Sequence, residues 1–311
     1  MILCITLNPI IDKILKVNKF RKGGSAYSSE INLYGGGKGN NVARVLNSLG
    51  FDVLAFNLLG GFEGRQLKAI LEAGGIKNDD FFINGRTRIH DFILEKDSGR
   101  LTDIYEPSPE ITAEEKVLIL QKIKDIIKFS SMVVISGSSP CRLADDIFFE
   151  VVLAAKKQGL KTIADTSGNA FKIALKAGPF LIKPNKEEAE EIINKKINSQ
   201  KDIISALDFY ESEDIKFSVI SMGRLGAYVR YKGRTYRAQT PDIAAANSFG
   251  SGDCMVAGLI KGIMQDMPIE KIIKIGMAAG TANAGKIGIA AIDEKDINEY
   301  IPQIKVDLIK S

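Results

Sequence analysis

The chain has 311 residues, of which 45% are apolar and 26% are charged, so it can bury a full hydrophobic core and is not disordered. Its formal net charge is only +4, and its basic residues are scattered among acidic ones, which argues against a nucleic-acid-binding protein. No run of about 18 apolar residues predicts a membrane segment, and three distant cysteines without a CxxC pair suit the reducing cytoplasm.

Short strands are predicted in the first third of the chain. Residues 1–7 form an apolar run that we interpret as the first strand. Residues 12–35 and 81–105 contain short alternating runs bounded by glycine and charge, which predict antiparallel strands. Two such segments would most simply form a small sheet over one end of a larger body, as a lid. We therefore expect residues 1–311 to form one domain, with the lid inserted from about 12–35 and 81–105.

From about residue 110 onward, β-rich runs alternate with amphipathic segments, the pattern of βαβ units in a parallel sheet. The first predicted helix opens with a capping box of Thr112 and Glu115. Its apolar residues recur at helical spacing, at Val117, Leu120, Ile123 and Ile127. Four buried strands are predicted after it, at Met132–Ser136, Lys161–Asp165, residues 180–183 and Phe217–Ser221. Helices at residues 252–266 and 268–286 are predicted to close the chain.

The most informative segment is NSFGSGDCMVAG, at residues 247–258, where a loop with two glycines becomes a helix near Ser251. Free backbone amides at a helix start can hold an anion, and Gly250 and Gly252 keep side chains away from it. Asp253 is then placed to take the proton of an attacking hydroxyl while these amides hold a transferring phosphoryl group. The alternative is that Asp253 only complements the helix dipole and the glycines only make a turn.

A second glycine-rich segment, YGGGKGNNVA at residues 34–43, precedes another predicted helix. It is not a Walker loop, which needs Ser or Thr directly after Gly-Lys, and it does not match GxGxxG after a strand. It still brings backbone amides, an ammonium and two carboxamides together at a helix start, which suits recognition of hydroxyl and phosphate groups. The alternative is a glycine hinge that joins the lid to the body.

A third segment, KPNKEE at residues 183–188, follows a predicted buried strand, the position where α/β proteins place ligands. Asn185 and Glu188 would present an amide and a carboxylate on one face of a helix start, as an outer shell for a hydrated Mg²⁺ carried by ATP. The same two residues can also form an N-cap and its capping-box partner. The two interpretations are compatible.

Taken in this order, the segments resemble the PfkB, or ribokinase-like, carbohydrate kinases over essentially the whole chain. GGKGNN at residues 36–41 resembles one family signature, and residues 247–258 resemble the other. KPN at residues 183–185, and SMG at 221–223 before GA at 226–227, extend the match. The resemblance implies an α/β fold, with a ribokinase-like three-layer body around a central, mostly parallel sheet and a small β-sheet lid.

The resemblance also implies a role for each candidate residue, with ATP and Mg²⁺ as cofactors. The catalytic residues would be the base Asp253 and the anion-holding Gly250, Ser251 and Gly252. The sugar would be bound by Asp12, Gly37, Lys38, Asn41 and Ser138, and its existing phosphate by Arg88. The nucleotide would contact Lys183, Asn185, Ser221, Gly223, Gly226 and Asn283, and its metal Asn185 and Glu188.

The opening TLNPIID, at residues 6–12, resembles the branch that acts on phosphorylated ketohexoses, such as 1-phosphofructokinases and tagatose-6-phosphate kinases. We therefore predict an ATP-dependent kinase that converts a ketohexose monophosphate into a bisphosphate. Two alternatives stay open: a kinase of the same family for an unphosphorylated sugar or nucleoside, and a catalytically weak sensor of nucleotide and sugar phosphate. Exposed lid strands could also pair across a homodimer.

Several residues depart from the branch pattern near the expected sugar site. GSSPCR at residues 137–142 stands where Gly-Ser-Leu-Pro-x-Gly is usual, and Tyr105 stands where asparagine is common. His90, the single histidine, replaces an asparagine that usually follows Arg88. These changes leave the physiological phosphosugar open. We interpret His90 as a packing residue of the lid, with a contact to the substrate as the alternative, and Cys254 as a small residue packed inside a helix start.

Overall fold

The structure of the protein is a computed structural model in which residues 1–243, 249–286 and 288–310 are described. The strands in this part of the chain are β1 (Ile2–Thr6), β2 (Ile10–Val17), β3 (Ser28–Gly36), β4 (Val53–Gly60), β5 (Lys77–Asn78), β6 (Phe81–Ile83), β7 (Arg88–Glu95), β8 (Leu101–Tyr105), β9 (Met132–Ser136), β10 (Lys161–Asp165), β11 (Leu181–Ile182), β12 (Phe217–Ser221), β13 (Ala227–Tyr231), β14 (Arg234–Gln239) and β15 (Lys305–Lys310). The helices are α1 (Lys38–Ser48), α2 (Gly61–Ala73), α3 (Ala113–Ile127), α4 (Ile147–Lys157), α5 (Gly168–Leu175), α6 (Lys186–Ile193), α7 (Gln200–Ser212), α8 (Ser251–Met264), α9 (Ile269–Ala284) and α10 (Glu294–Tyr300).

The main sheet runs in the order β15-β14-β13-β12-β11-β10-β9-β1-β4-β5, and β6 also pairs with β4. The strands from β12 to β5 are parallel, whereas β12 to β15 pair antiparallel. Side chains alternate between the faces of the parallel strands, so Cys4 and its neighbour Ile5 enter different cores. One core packs against α1, α8 and α9, and the other against α3, α4 and α5. The prediction of a mostly parallel sheet between two helical layers is confirmed.

Helix α3 begins with the predicted capping box. Thr112 Oγ1 accepts a hydrogen bond from the Glu115 N–H at 3.1 Å, and Glu115 Oε2 accepts one from the Thr112 N–H at 2.8 Å. Ile123 and Ile127 are buried as predicted and Leu120 packs partly buried against the same core, whereas Val117 is 67% exposed. The buried residues are Ile119, Ile123, Ile126 and Ile127.

A separate small sheet has the strand order β3-β2-β7-β8. Strands β2 and β3 pair antiparallel, as do β7 and β8, which confirms the predicted pairing within each segment. Strands β2 and β7 run parallel, so the prediction that the strands of the small sheet all pair antiparallel was wrong. The reason is that β2 follows β1 and β7 follows β6, two strands of the parallel main sheet, and both therefore leave that sheet in the same direction. The start of the second predicted segment, Phe81–Ile83, pairs in the main sheet with β4.

The end of the chain differs most from the prediction. Helices α8 and α9 are present with slightly different bounds, but α10 and then β15 follow them, so the prediction that helices close the chain was wrong. Strands β13 and β14 were also missed; they form a hairpin whose turn residues, Lys232 and Gly233, have positive φ. None of the helices in the described ranges is long and apolar enough to cross a membrane.

Candidate active site

A cavity of about 1240 Å³ lies where the small sheet faces the ends of the parallel strands and the start of α8. Parallel strands all present their carboxyl ends at the same edge, so the segments that follow them converge there. Of the predicted site residues, those lining the cavity are Asp12, Gly37, Lys38, Asn41, Arg88, Ser138, Lys183, Asn185, Glu188, Ser221, Gly223, Gly226, Gly250, Ser251, Gly252 and Asp253. Asn283 is not part of this lining.

The turn before α8 has the backbone geometry of an anion site. Gly250 has φ 75°, a left-handed conformation that glycine adopts without strain, and α8 begins directly after it at Ser251. A Cβ at Gly252 would lie 3.1 Å from Lys183 Nζ, so glycine leaves room for that ammonium beside the helix start. The first amides of α8 have no partner within the helix and are available to a ligand. Asn247 and Ser248 of the predicted motif lie outside the described residues.

Asn283 holds this turn from behind. Its Nδ2 donates to the Phe249 carbonyl at 2.7 Å and to Ser251 Oγ at 2.9 Å, and its Oδ1 accepts from the Ala290 N–H at 2.9 Å. The residue is only 1% exposed. These contacts place Asn283 beneath the turn instead of along the cavity wall.

Asp253 lies in the first turn of α8 and is 5% exposed. Burial raises the pKa of its carboxyl to about 6, and the nearby Asp165 acts in the same direction. Lys38 and a hydrogen bond from Asn41 Nδ2, 2.8 Å from Asp253 Oδ2, oppose this rise in pKa. The carboxyl is therefore mostly ionised at neutral pH, yet basic enough to take a proton.

Asp165, at the end of β10, organises the two lysines of the site. Its Oδ1 lies 3.5 Å from Lys183 Nζ and 3.7 Å from Lys38 Nζ, and Lys38 Nζ is also 3.8 Å from Glu188 Oε1. Asp165 is the main cause of a raised pKa of Lys38, so this ammonium stays charged. Two cations thus stand beside the α8 turn, fixed by a carboxylate that is 1% exposed.

The small sheet contributes a carboxylate and a guanidinium to the other side of the cavity. Asp12 Oδ1 is 3.1 Å from Nδ1 of His90, which is buried and whose ring stacks on Tyr105 with ring centres 3.7 Å apart. Burial lowers the pKa of Arg88, and Arg88 Nη2 donates to the Asn8 carbonyl at 3.3 Å. His90 therefore packs within the small sheet and also lines the cavity beside Asp12.

Asn8 connects three loops at this side of the cavity. Its Nδ2 donates to Ser138 Oγ at 3.0 Å and to Ser108 Oγ at 2.9 Å. Ser108 and Ser138 lie in the two loops that depart from the branch pattern, so these loops meet at Asn8. Arg142, which stands where the branch pattern has glycine, is exposed and does not line the cavity.

Asn185 and Glu188 form the capping box of α6. Asn185 Oδ1 accepts from the Glu188 N–H at 2.8 Å, and Glu188 Oε2 accepts from the Asn185 N–H at 2.9 Å. Both residues also line the cavity, so one interpretation does not exclude the other. Farther along the wall, a Cβ at Gly226 would lie 2.0 Å from the Ala238 carbonyl oxygen, so only glycine fits there.

The described site thus combines a buried carboxylate, a helix start with free amides and a guanidinium across one cavity. A family model for "pfkB family carbohydrate kinase" matches residues 2–296. The chain belongs to the pfkB family of carbohydrate kinases. The resemblance predicted from its motifs is confirmed, and ATP is the phosphoryl donor that this family implies.

The kinase is similar to other proteins over nearly its full length. It is 34% identical over 308 residues to a 1-phosphofructokinase of Borreliella burgdorferi, covering 99% of this chain and 98% of the relative. It is 33% identical over 309 residues to a tagatose-6-phosphate kinase of Staphylococcus epidermidis, covering 98% and 99%. The crystal structure of phosphofructokinase-2 from Escherichia coli in complex with potassium matches with a TM-score of 0.91 at 25% identity, covering 97% and 98%. The predicted fold is confirmed by this likeness.

Sequence reasoning missed two charged residues of the kinase. Asp165 ends the predicted strand Lys161–Asp165, and a polar residue at the carboxyl end of a buried strand is a signal that could have found it. Arg44 lies one helical turn after Asn41, on the same face of α1. No short motif marks either residue.

Proposed function

We propose that this kinase transfers the γ-phosphoryl group of ATP to a free hydroxyl of a ketohexose monophosphate of the fructose 1-phosphate or tagatose 6-phosphate type. The observation that carries the proposal is that Asp253, at the α8 turn, and Arg88, on the small sheet, line one cavity. The first is a base beside an anion site, and the second suits a phosphate that the sugar already carries. The names of the two curated relatives support the same substrate class.

The chemistry follows from the residues of the α8 turn. Asp253 accepts the proton of the sugar hydroxyl as its oxygen attacks the γ-phosphorus, and ADP leaves from the opposite side. The amides of Gly250, Ser251 and Gly252 hold the transferring group, with Lys38 and Lys183 adding positive charge beside it. Asp12, Gly37, Asn41 and Ser138 would orient the sugar, and Lys183, Asn185, Ser221, Gly223 and Gly226 the nucleotide.

Mg²⁺ would enter with the nucleotide. No cluster of three or more His, Cys, Asp or Glu suited to a metal occurs in the part of the chain that the structure describes. These residues therefore do not supply a complete set of ligands for the ion. Asn185 Oδ1 and Glu188 Oε2 already accept backbone hydrogen bonds, which fits contact with waters of a hydrated ion. The bound ion would neutralise phosphate charge during transfer.

We propose that the small sheet is a lid that closes over the sugar. Its Phe92 contacts Phe249 of the α8 turn edge to face, with ring centres 4.8 Å apart, so lid and turn already touch. Closure would exclude water, which otherwise competes for the phosphoryl group.

The outer face of this sheet also supports a homodimer through the lid. Ile31 and Ile104 are exposed there, on edge strands β3 and β8. Apolar edge strands of this kind pair readily with a second copy. Analytical ultracentrifugation of the wild type and of Ile31→Lys tests this: a dimer that Ile31→Lys dissociates is expected, and a wild-type monomer would contradict it.

The three cysteines are free thiols, which suits our assignment of the reaction to the cytoplasm.

The substrate class is tested by ADP release from Mg-ATP with fructose 1-phosphate, fructose 6-phosphate, tagatose 6-phosphate, fructose and ribose. We expect turnover only with the phosphorylated ketohexoses. Turnover restricted to fructose or ribose would support the kinase of an unphosphorylated sugar instead. Binding of nucleotide and sugar phosphate without turnover would support the sensor.

A further inference from the structure

Arg44 contacts the proposed catalytic machinery from outside the cavity. It lies on α1, and its Nη1 donates to Asn41 Oδ1 at 2.8 Å while its Nη2 donates to the Gly35 carbonyl at 2.5 Å. Asn41 in turn donates from Nδ2 to Asp253 Oδ2 at 2.8 Å. A continuous line of hydrogen bonds therefore runs from the guanidinium, through one carboxamide, to the carboxylate.

The chemistry of these groups allows the central amide only one orientation. A guanidinium can only donate hydrogen bonds, and an ionised carboxylate can only accept them. Asn41 lies between the two and has an oxygen at one end of its amide and an NH₂ group at the other. Only the orientation with the oxygen on Arg44 and the nitrogen on Asp253 satisfies all three groups.

We propose that Arg44 is a positioning residue for the general base: it fixes the Asn41 amide so that its NH₂ group holds Asp253 Oδ2, which leaves Oδ1 for the substrate hydroxyl. The inference rests on the proposed role of Asp253. Because Arg44 does not line the cavity, it acts through Asn41 and not on the substrate.

The surroundings of Arg44 fit a positioning role. Its two acceptors are a carboxamide and a backbone carbonyl, both neutral, and the arginine is partly buried. Burial is the main cause of a lowered pKa of Arg44. Keeping the charged guanidinium at this place therefore lowers the stability of the folded state. A merely structural residue at this place could be apolar. The Gly35 contact also ties the arginine to the end of β3 in the small sheet.

Arg44 is one of several charged groups that influence the pKa of Asp253. The charged groups that face this carboxyl are Lys38 on α1, Asp165 at the end of β10, Lys183 after β11 and Arg44 itself. The first three remain in an Arg44 variant. What is lost is the positive charge of Arg44 together with the constraint on Asn41, whose amide can then turn its oxygen toward the carboxylate. Both changes disfavour the ionised form of Asp253.

The direct test is carboxyl ¹³C NMR titration of Asp253, with its signal assigned by its absence in Asp253→Asn. Arg44→Met and Asn41→Leu should both raise the midpoint of this titration by about one pH unit, and Arg44→Lys, which can still donate, by less. Arg230→Met is the control for loss of a buried arginine, since Arg230 donates to Gly233, pairs with Asp208 and Glu211, and lies on β13 outside the cavity lining. It should lower thermal stability and leave the midpoint in place.

The kinetic readout uses whichever acceptor of the sugar panel supports turnover. A shift of one unit lowers the ionised fraction of Asp253 at pH 6 about fivefold, so kcat at pH 6 should fall about fivefold in Arg44→Met and recover toward pH 8. An unchanged midpoint in both Arg44→Met and Asn41→Leu would overturn the inference. Failure of the proposed substrate class is seen separately, as absence of turnover by the wild type, and the titration decides the role of Arg44 in that case as well.

Discussion

Gly36, the last residue of β3, controls whether Asp12 can face the cavity. A Cβ at this position would lie 2.0 Å from Asp12 Oδ2 and 2.7 Å from its Cγ, whereas real contacts of this kind are essentially never below 3.0 Å. In Gly36→Ala the carboxylate must therefore move by about 1 Å or more. It cannot move freely, because Oδ1 is held 3.1 Å from His90 Nδ1 and the backbone is fixed by the pairing of Ile10 with Gly36. The carboxylate should turn out of its cavity-facing position.

The size of the effect follows from the hydrogen bonds lost. A hydrogen bond to a charged group contributes about 1.5–3 kcal/mol, and 1.4 kcal/mol corresponds to a factor of about ten in affinity. Gly36→Ala should thus raise KM for the phosphorylated ketohexose about 10- to 100-fold and leave KM for ATP nearly unchanged. Gly74→Ala is the matched control, because Gly74 has φ −80° and its nearest atom would lie 3.4 Å from the added Cβ. A folded Gly36→Ala enzyme with wild-type KM for the sugar would refute this reasoning.

Three further predictions concern separate parts of the kinase. Arg88→Ala should raise KM for the phosphorylated sugar with little change in kcat, measured by steady-state kinetics; an unchanged KM would move the phosphate site elsewhere. The acid limb of the profile of kcat against pH should lie near pH 6, because the pKa of Asp253 is raised to about 6. As the pH falls through this value the base is protonated and activity is lost. A limb near pH 4 would contradict the assignment of a buried base. Thr112→Ala should remove the capping box of α3 and lower the free energy of unfolding by about 1 kcal/mol, measured by urea denaturation, without affecting KM for either substrate; an unchanged denaturation midpoint would mean that the cap contributes nothing.

The raised pKa of Asp253 also has a consequence for stability. Its folded pKa lies above the usual value of 3.8, so the folded state binds this proton more tightly than the unfolded chain does. This contribution to stability is present below about pH 4 and is lost as pH rises through about 6. Removal of the charge by Asp253→Asn should therefore raise the melting temperature at pH 7 and have less effect at pH 4.

The parallel part of the fold could be predicted because its strands are continuous apolar runs. Met132–Ser136 and Phe217–Ser221 are buried on both faces, and most of their residues are apolar. Strand β15 could not be found in this way. It is an edge strand in which Lys305 and Leu308 are exposed, so its pattern depends on pairing with β14 and not on burial.

The direction of β7 illustrates a second limit of sequence patterns. Alternating polarity identifies a half-buried strand but does not say which neighbour it takes. The parallel pairing of β7 with β2 results from the preceding strands β6 and β1, which leave the main sheet side by side. Only the complete topology contains that information.

The candidate site was largely predictable because its residues lie in glycine-rich turns at the ends of elements. Gly250 and Gly226 have positive φ and close neighbours, requirements that a glycine in sequence already suggests. The partners that hold these turns were not predictable. Asn283, expected along the nucleotide, instead fills its hydrogen bonds with Phe249, Ser251 and Ala290, because the packing of α9 against α8 places it beneath the turn.

The most direct test of the proposed mechanism is single-turnover phosphoryl transfer by Asp253→Asn, measured together with ATP binding by calorimetry. Loss of a general base lowers the rate by about 10²- to 10⁴-fold, and the α8 amides that we propose hold the phosphates stay in place, so binding should persist. A rate constant close to that of the wild type, in an enzyme that still binds ATP, would contradict the assignment of Asp253 as the base.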